Sequence, residues 1–153
     1  VSIATAGWSE VSGVELHEGA AGSGWDHEPD IGPSPLILPA LLRQMLPGGP
    51  EGRVWIGEWD GWGGRKRPAG SRPLTVPGRR YHVTGTSPRE LLTGLDRDRL
   101  PDVVWDEAGT FIILADIDLP GTVVGCREGI AEDLLRNPNL EAVRVDGGAP
   151  VVA

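Results

Sequence analysis

The chain has 153 residues, of which 22 are acidic and 14 are lysine or arginine, so its formal net charge is −8 at pH 7. This length suits one domain with its own core and leaves no room for two ordinary domains. The negative charge opposes nonspecific binding to nucleic acid. We therefore expect no nucleic-acid partner. No apolar run approaches the ~20 residues of a membrane helix, so we also expect no membrane partner.

Cysteine content restricts the compartment and the chemistry. Cys126 is the only cysteine, so it cannot form a disulfide within the chain or build a cysteine-rich zinc or iron–sulfur site. The opening residues lack the basic region and long apolar stretch of an intact signal peptide. We therefore expect a cytoplasmic protein.

A short helical turn is predicted over residues 8–14, and a loop rich in glycine, proline and acids follows near residues 17–34. A helix follows Ser34, because Leu38, Leu41, Leu42 and Met45 recur at helical spacing. Residues 53–60, RVWIGEWD, alternate as a strand. A basic, glycine-rich segment near 63–73 is predicted to be a mobile loop, and two short strands, LTV and RYHVTGT, come next.

The second half of the chain carries the clearest local signals. SPRE, residues 87–90, predicts a helix start with a capping box. VVW and FIILADID, separated by DEAGT, suggest a hairpin over 103–118. A last helix is predicted over 127–136 and a last strand over 141–145. These elements favour a single α+β domain over 1–153, with three or so helices packed against a mainly antiparallel sheet. FIIL is apolar on both faces, which predicts a covered central strand at 111–118.

The stretch WIGEWDGWGG, residues 55–64, is the first candidate for function. Period-two alternation places Trp55 and Trp59 on one face, where we expect them to be core residues packed on the helix of Leu38 and Leu41. Trp62 lies in a glycine-rich turn, where a ring gains little cover and is expected to be exposed. Beside it lies the basic segment, and the residues that we expect to bind an acidic protein partner are Trp62, Arg65, Lys66 and Arg67.

Two pairs of acids form the second candidate. Glu58 and Asp60 share a strand face, as do Asp116 and Asp118. If the two strands are neighbours, the four carboxylates could cluster and bind a divalent cation or perform acid–base hydrolysis. The alternative is a solvated edge, or ion pairs with the basic loop. The three histidines, His17, His27 and His82, show no metal-ligand spacing and are interpreted as loop residues.

VWIGEWDGWGG resembles a W-x-x-x-W-acid-G-aromatic-G strand of small actinobacterial proteins with no assigned function. The block from VVWDEAGT through ADID to NPNLEAV is similar to a second motif of that family, and WSEVSGVELH is similar to its start. The chain departs from the family pattern W-W-P-x-D-R, in place of which it has VVWDEAGT. The resemblance implies a fold unit and a bacterial origin, but no activity.

Two classes of function remain open. The first is a small non-catalytic protein-binding module: an adaptor, an inhibitor or an immunity-type partner. The alternative is a small hydrolase or divalent-metal-binding protein that uses the paired carboxylates. We favour the first, because the charge is segregated and no nucleophile or metal-ligand spacing is present, and we expect no catalytic residue, no bound metal and no cofactor.

Overall fold

The computed structural model describes residues 2–4, 34–46, 52–63, 66–95, 100–115 and 121–145. The predicted helical turn at 8–14 lies outside this part, and the predicted loop at 17–34 lies almost entirely outside it. The described strands pair antiparallel in one sheet, in the order β3-β4-β2-β5-β6-β7-β1-β8. Their bounds are Ser2–Ala4 (β1), Val54–Trp59 (β2), Arg72–Val76 (β3), Arg79–Thr86 (β4), Val103–Asp106 (β5), Phe111–Leu114 (β6), Val123–Cys126 (β7) and Arg144–Val145 (β8).

Three described helices complete the α+β fold, which confirms the predicted class. They are Ile37–Met45 (α1), Pro88–Gly94 (α2) and Glu128–Arg136 (α3). No helix among the described residues is long and apolar enough to span a bilayer. The segment predicted as a loop over 63–73 is in part strand, because β3 begins at Arg72 and pairs with β4.

Local sequence signals account for the helix starts. Ser87 caps α2: its Oγ accepts the Glu90 N–H at 3.2 Å, and Glu90 Oε2 accepts the Ser87 N–H at 3.1 Å, which is the predicted capping box. Ser34 Oγ similarly accepts the N–H groups of Leu36 and Ile37, each at 3.3 Å, ahead of α1. Both helix starts satisfy backbone donors that have no partner within the helix.

One face of the sheet forms the core with all three helices. α1 contributes Leu38, Leu41, Leu42 and Met45, and the central strands contribute a row of aliphatic residues. The register places Val104 of β5 beside Ile113 of β6, and Ile113 beside Val124 of β7. The core residues of this face are Val54, Val104, Phe111, Ile113 and Val124 on the sheet, with Leu91, Ala131 and Leu134 on α2 and α3.

The opposite face differs from the prediction. Trp55 and Trp59 do share a face of β2, but Val54 and Ile56 are the β2 residues that pack with the helices. The two tryptophans are half-buried on the other side, so their assignment to the core is wrong. β6 lies near the middle of the sheet, as predicted, yet Ile112 is 46% exposed, so FIIL is fully covered on the helix side only.

Candidate functional site

An apolar groove lies on the sheet face that is opposite the helices. Its volume is about 740 Å³, and it crosses the sheet from β3 to β7. The side chains that line its length are Leu74, Tyr81, Val103, Trp105, Ile112 and Leu114. Leu74 and Val76 on β3 are 39% and 37% exposed. A concave apolar surface of this size is the usual form of a binding site in proteins.

Gly57 of β2 lies between the strands that line the middle of the groove. A Cβ at this position would lie 3.5 Å from the Cβ atoms of Tyr81 and Val103, which is ordinary van der Waals contact. Trp55 and Trp59 stand on β2 on either side of this glycine and share its face. The pair of tryptophans therefore flanks the groove instead of anchoring the core.

Arginines cover both of these tryptophans. The guanidinium carbon of Arg53 lies 5.4 Å from the ring centroid of Trp55, and that of Arg79 lies 4.8 Å from the ring centroid of Trp59. Such cation–π contacts place a cation over the face of a ring. A positively charged arginine therefore lies beside each of the two tryptophans that flank the groove.

A buried carboxylate fixes the turn after β2. Asp102 is only 2% exposed, and its Oδ2 accepts the backbone N–H of Trp59 at 2.7 Å while its Oδ1 accepts the indole N–H of Trp62 at 2.9 Å. The rings of Trp59 and Trp62 meet edge to face, with centroids 5.9 Å apart. Gly61 is required between them, because a side chain at that position would clash with the Trp59 indole.

Trp62 is therefore not the exposed ring that its glycine-rich surroundings predict. It is half-buried, and its polar atom is bonded to Asp102. Of the basic residues predicted to accompany it, Lys66 and Arg67 are exposed and Arg65 lies outside the described residues. Lys66 and Arg67 line a small polar pocket with Glu58, Asp60 and His82, so the structure does bring part of the predicted set together.

Asp60, at this pocket, is the centre of a group of ionisable side chains that we call the Asp60 cluster: Asp60, Arg67, Arg80 and His82. His82 Nε2 lies 2.6 Å from Asp60 Oδ1, and Arg80 donates to Oδ2 through Nε at 2.7 Å and through Nη2. Arg67 is a more distant partner at 3.9 Å. Hydrogen bonds from His82 and Arg80 lower the pKa of the Asp60 carboxyl below its ordinary value of 3.8. Asp60 is thus held as a carboxylate.

The predicted acid cluster is formed only in part. Asp116 and Asp118 lie outside the described residues, and β5 separates β2 from β6, so the two strands are not neighbours. Within the part of the chain that the structure describes, no three histidine, cysteine or acidic side chains are placed to hold a metal ion. Of the alternatives weighed for the acids, ion pairing with the basic segment describes the contact of Asp60 with Arg67, and Arg80 of β4 is a second partner.

Three features escaped the sequence interpretation. Asp102 and His82 gave no signal because their partners, Trp62 and Asp60, are 40 and 22 residues away. His82 lies in β4, the strand predicted over RYHVTGT, and it is buried, so its interpretation as a loop residue is wrong. The groove could have been inferred from the runs VVW and FIIL, since about three helices cannot cover both faces of so wide a sheet.

The Asp60 cluster leads to a prediction about pH. The carboxyl is more acidic in the folded chain than in the unfolded chain, so its stabilising effect is complete above pH 3.8 and is lost as the pH falls below that value. We expect Asp60→Asn to be less stable than the parent chain at pH 6 and the difference to shrink towards pH 3. Urea unfolding across this range measures it. A difference that is the same at pH 6 and pH 3 would contradict the assignment.

No protein-family model, curated protein or solved structure shows significant similarity to the chain, so the groove and the Asp60 cluster are interpreted from their own geometry.

Proposed function

We propose that the protein is a small, non-catalytic protein-binding module that takes its partner in the apolar groove. The observation that carries the proposal is the exposure of large aliphatic side chains along this groove: Leu74, Val76 and Ile112. Contiguous apolar surface of this kind is costly to leave in water and typically marks a binding surface. Trp105 and Tyr81 lie among these residues, and aromatic side chains are enriched where binding energy concentrates.

The basic segment fits the same proposal as a source of charge near the end of β2. Lys66 and Arg67 are exposed, and Trp62 contacts Trp59, which flanks the groove. With Arg65, these residues would steer a partner towards the groove, since charges at a rim act more on association rate than on final affinity. In this arrangement the main role of Trp62 is to support the shape of the surface, and direct contact with the partner is secondary.

The alternative, hydrolysis by paired carboxylates, has less support from the geometry. A general acid must hold its proton near neutral pH, which requires a raised pKa. The pKa of Asp60 is shifted in the opposite direction by His82 and Arg80. Asp60 is thus suited to organise the cluster, but not to donate a proton.

A random peptide library displayed on phage provides partners for the test. Peptides selected on the parent chain would be measured against Ile112→Glu, which places a charge in the groove, and against Leu135→Glu as the matched control. Leu135 is 37% exposed and lies on α3, on the helix side of the sheet, while Ile112 is 46% exposed. We expect Ile112→Glu to weaken binding about thirty-fold, which corresponds to ~2 kcal/mol for a central contact.

Leu135→Glu should leave peptide affinity unchanged, and the thermal melting of both variants should show that they remain folded. Peptides that bind Ile112→Glu as tightly as the parent chain would show that the groove is not the binding site. The proposal would also fail if no two selected peptides competed with each other for a common site on the protein.

A further inference from the structure

Four arginines surround the apolar groove. Arg53 and Arg79 lie over the flanking tryptophans, Arg72 shares the face of Leu74 on β3, and Arg127 lines the far end beside β7. The strand positions that share this face within β2 to β7 carry no acid, because Glu58 and Asp106 alternate onto the other side. These four arginines therefore share the groove side with no acid at these strand positions, in a chain whose net charge is −8.

The one acid among the described lining residues is already paired. Glu128 Oε1 lies 2.6 Å from Arg144 Nη1. Its charge is thus largely balanced within the chain. Among the described residues, the charged side chains at the groove are therefore mainly arginines, although the net charge of the chain is −8.

Arg127 occupies a position that local helix energetics disfavour. It is the N-cap residue of α3 and makes no side-chain capping hydrogen bond. Serine, threonine, aspartate or asparagine is preferred at this position, and a cation near a helix N-terminus is unfavourable because the helix dipole is positive there. Residues that are locally unfavourable, with no compensating structural contact, are expected at functional sites.

We infer that the partner is an acidic protein segment whose apolar side chains enter the groove and whose carboxylates meet these arginines. The inference rests on the proposed function of the groove. Guanidinium groups bind carboxylates through paired N–H donors. Complementary charge of this kind both attracts the right partner and repels basic ones.

The width of the groove sets the size of the segment. From β3 to β7 there are five strand spacings, or about 24 Å at ~4.8 Å each. A segment that joins Arg72 to Arg127 needs about seven extended residues, or about sixteen helical ones. The exposed edge offers little for strand addition, because Pro73 lacks an N–H and Pro77 follows directly after β3. Contact through side chains on the face is therefore the inferred mode.

The test uses the displayed library again, with sixteen random positions and no charge bias. We expect selected peptides to carry a net negative charge and to lose about tenfold in affinity for the double variant Arg72→Gln, Arg127→Gln. Both arginines are exposed, so the variant should melt like the parent chain. The control is Arg43→Gln, Arg136→Gln, which removes two exposed arginines from α1 and α3 and should leave affinity unchanged. Raising the salt concentration should weaken binding for the parent chain more than for the double variant.

The outcomes separate this inference from the function on which it rests. Peptides that are lost with Ile112→Glu but are neutral or basic, and indifferent to Arg72 and Arg127, would refute the acidic partner and keep the binding module. Peptides indifferent to Ile112→Glu would refute both. A dimer in sedimentation equilibrium that Ile112→Glu dissociates would also overturn the inference, because a second copy of the chain would then be the occupant.

Discussion

Replacement of Asp102 by alanine should cost about 2–6 kcal/mol of folding free energy, since it leaves two donors without their acceptor at ~1–3 kcal/mol each. These donors are the backbone N–H of Trp59 and the indole N–H of Trp62, and Asp102 itself is 2% exposed. Urea unfolding at pH 7 measures the change. Asp133→Ala is the matched control, because this aspartate is exposed on α3 and should change stability by about 0.5 kcal/mol or less.

A double-mutant cycle tests the same contact from the other side. Trp62→Phe keeps an aromatic ring against Trp59 but removes the indole N–H, so it should be clearly destabilising in the parent chain. In the Asp102→Ala background the same change should cost measurably less, because the acceptor is already gone. Equal costs in the two backgrounds, or an Asp102→Ala variant as stable as Asp133→Ala, would mean that the carboxylate does not hold the turn.

Two adjacent isoleucines of β6 should respond very differently to truncation. Ile113 is 1% exposed in the core, between Val104 and Val124, whereas Ile112 is 46% exposed along the groove. We expect Ile113→Ala to cost roughly 2–5 kcal/mol, as for buried large-to-small changes, and Ile112→Ala less than about 1 kcal/mol. The two variants remove the same atoms from neighbouring positions, so propensity effects cancel.

Thermal or urea unfolding of the two isoleucine variants decides which face of the sheet is packed. Similar losses at both positions would mean that the groove side is packed as tightly as the helix side. The proposal of a binding surface at Ile112 would then lose its basis. If only Ile113→Ala caused a small loss of folding free energy, the helices would not be packed on the face that carries Ile113.

The local elements follow from the order of residues along the chain. The capping box of Ser87 and Glu90, the leucine spacing of α1 and the hairpin of β5 and β6 all appear as predicted, because their interactions join residues within a few positions of one another. The α+β class follows from the order of these elements. The charge segregation between residues 65–80 and the rest of the chain is likewise evident without any knowledge of the fold.

The face of β2 that meets the helices depends on the assembled sheet. Alternation shows that Trp55 and Trp59 share a face, but it cannot say towards which layer that face points. The register answers this, because it aligns Ile56 with Val104 and Val104 with Ile113, and that continuous aliphatic row is the one covered by the helices. The tryptophans are left to flank the groove.

The contacts of the charged side chains likewise could not be predicted from sequence patterns. Asp102 reaches Trp62 across 40 residues and Asp60 reaches His82 across 22, and only the pairing of β2 with β4 and β5 brings them within hydrogen-bonding distance. Side-chain patterns report on neighbours in the chain, whereas these contacts depend on which strands lie side by side. For the same reason, the groove exists only once six strands are assembled into one face.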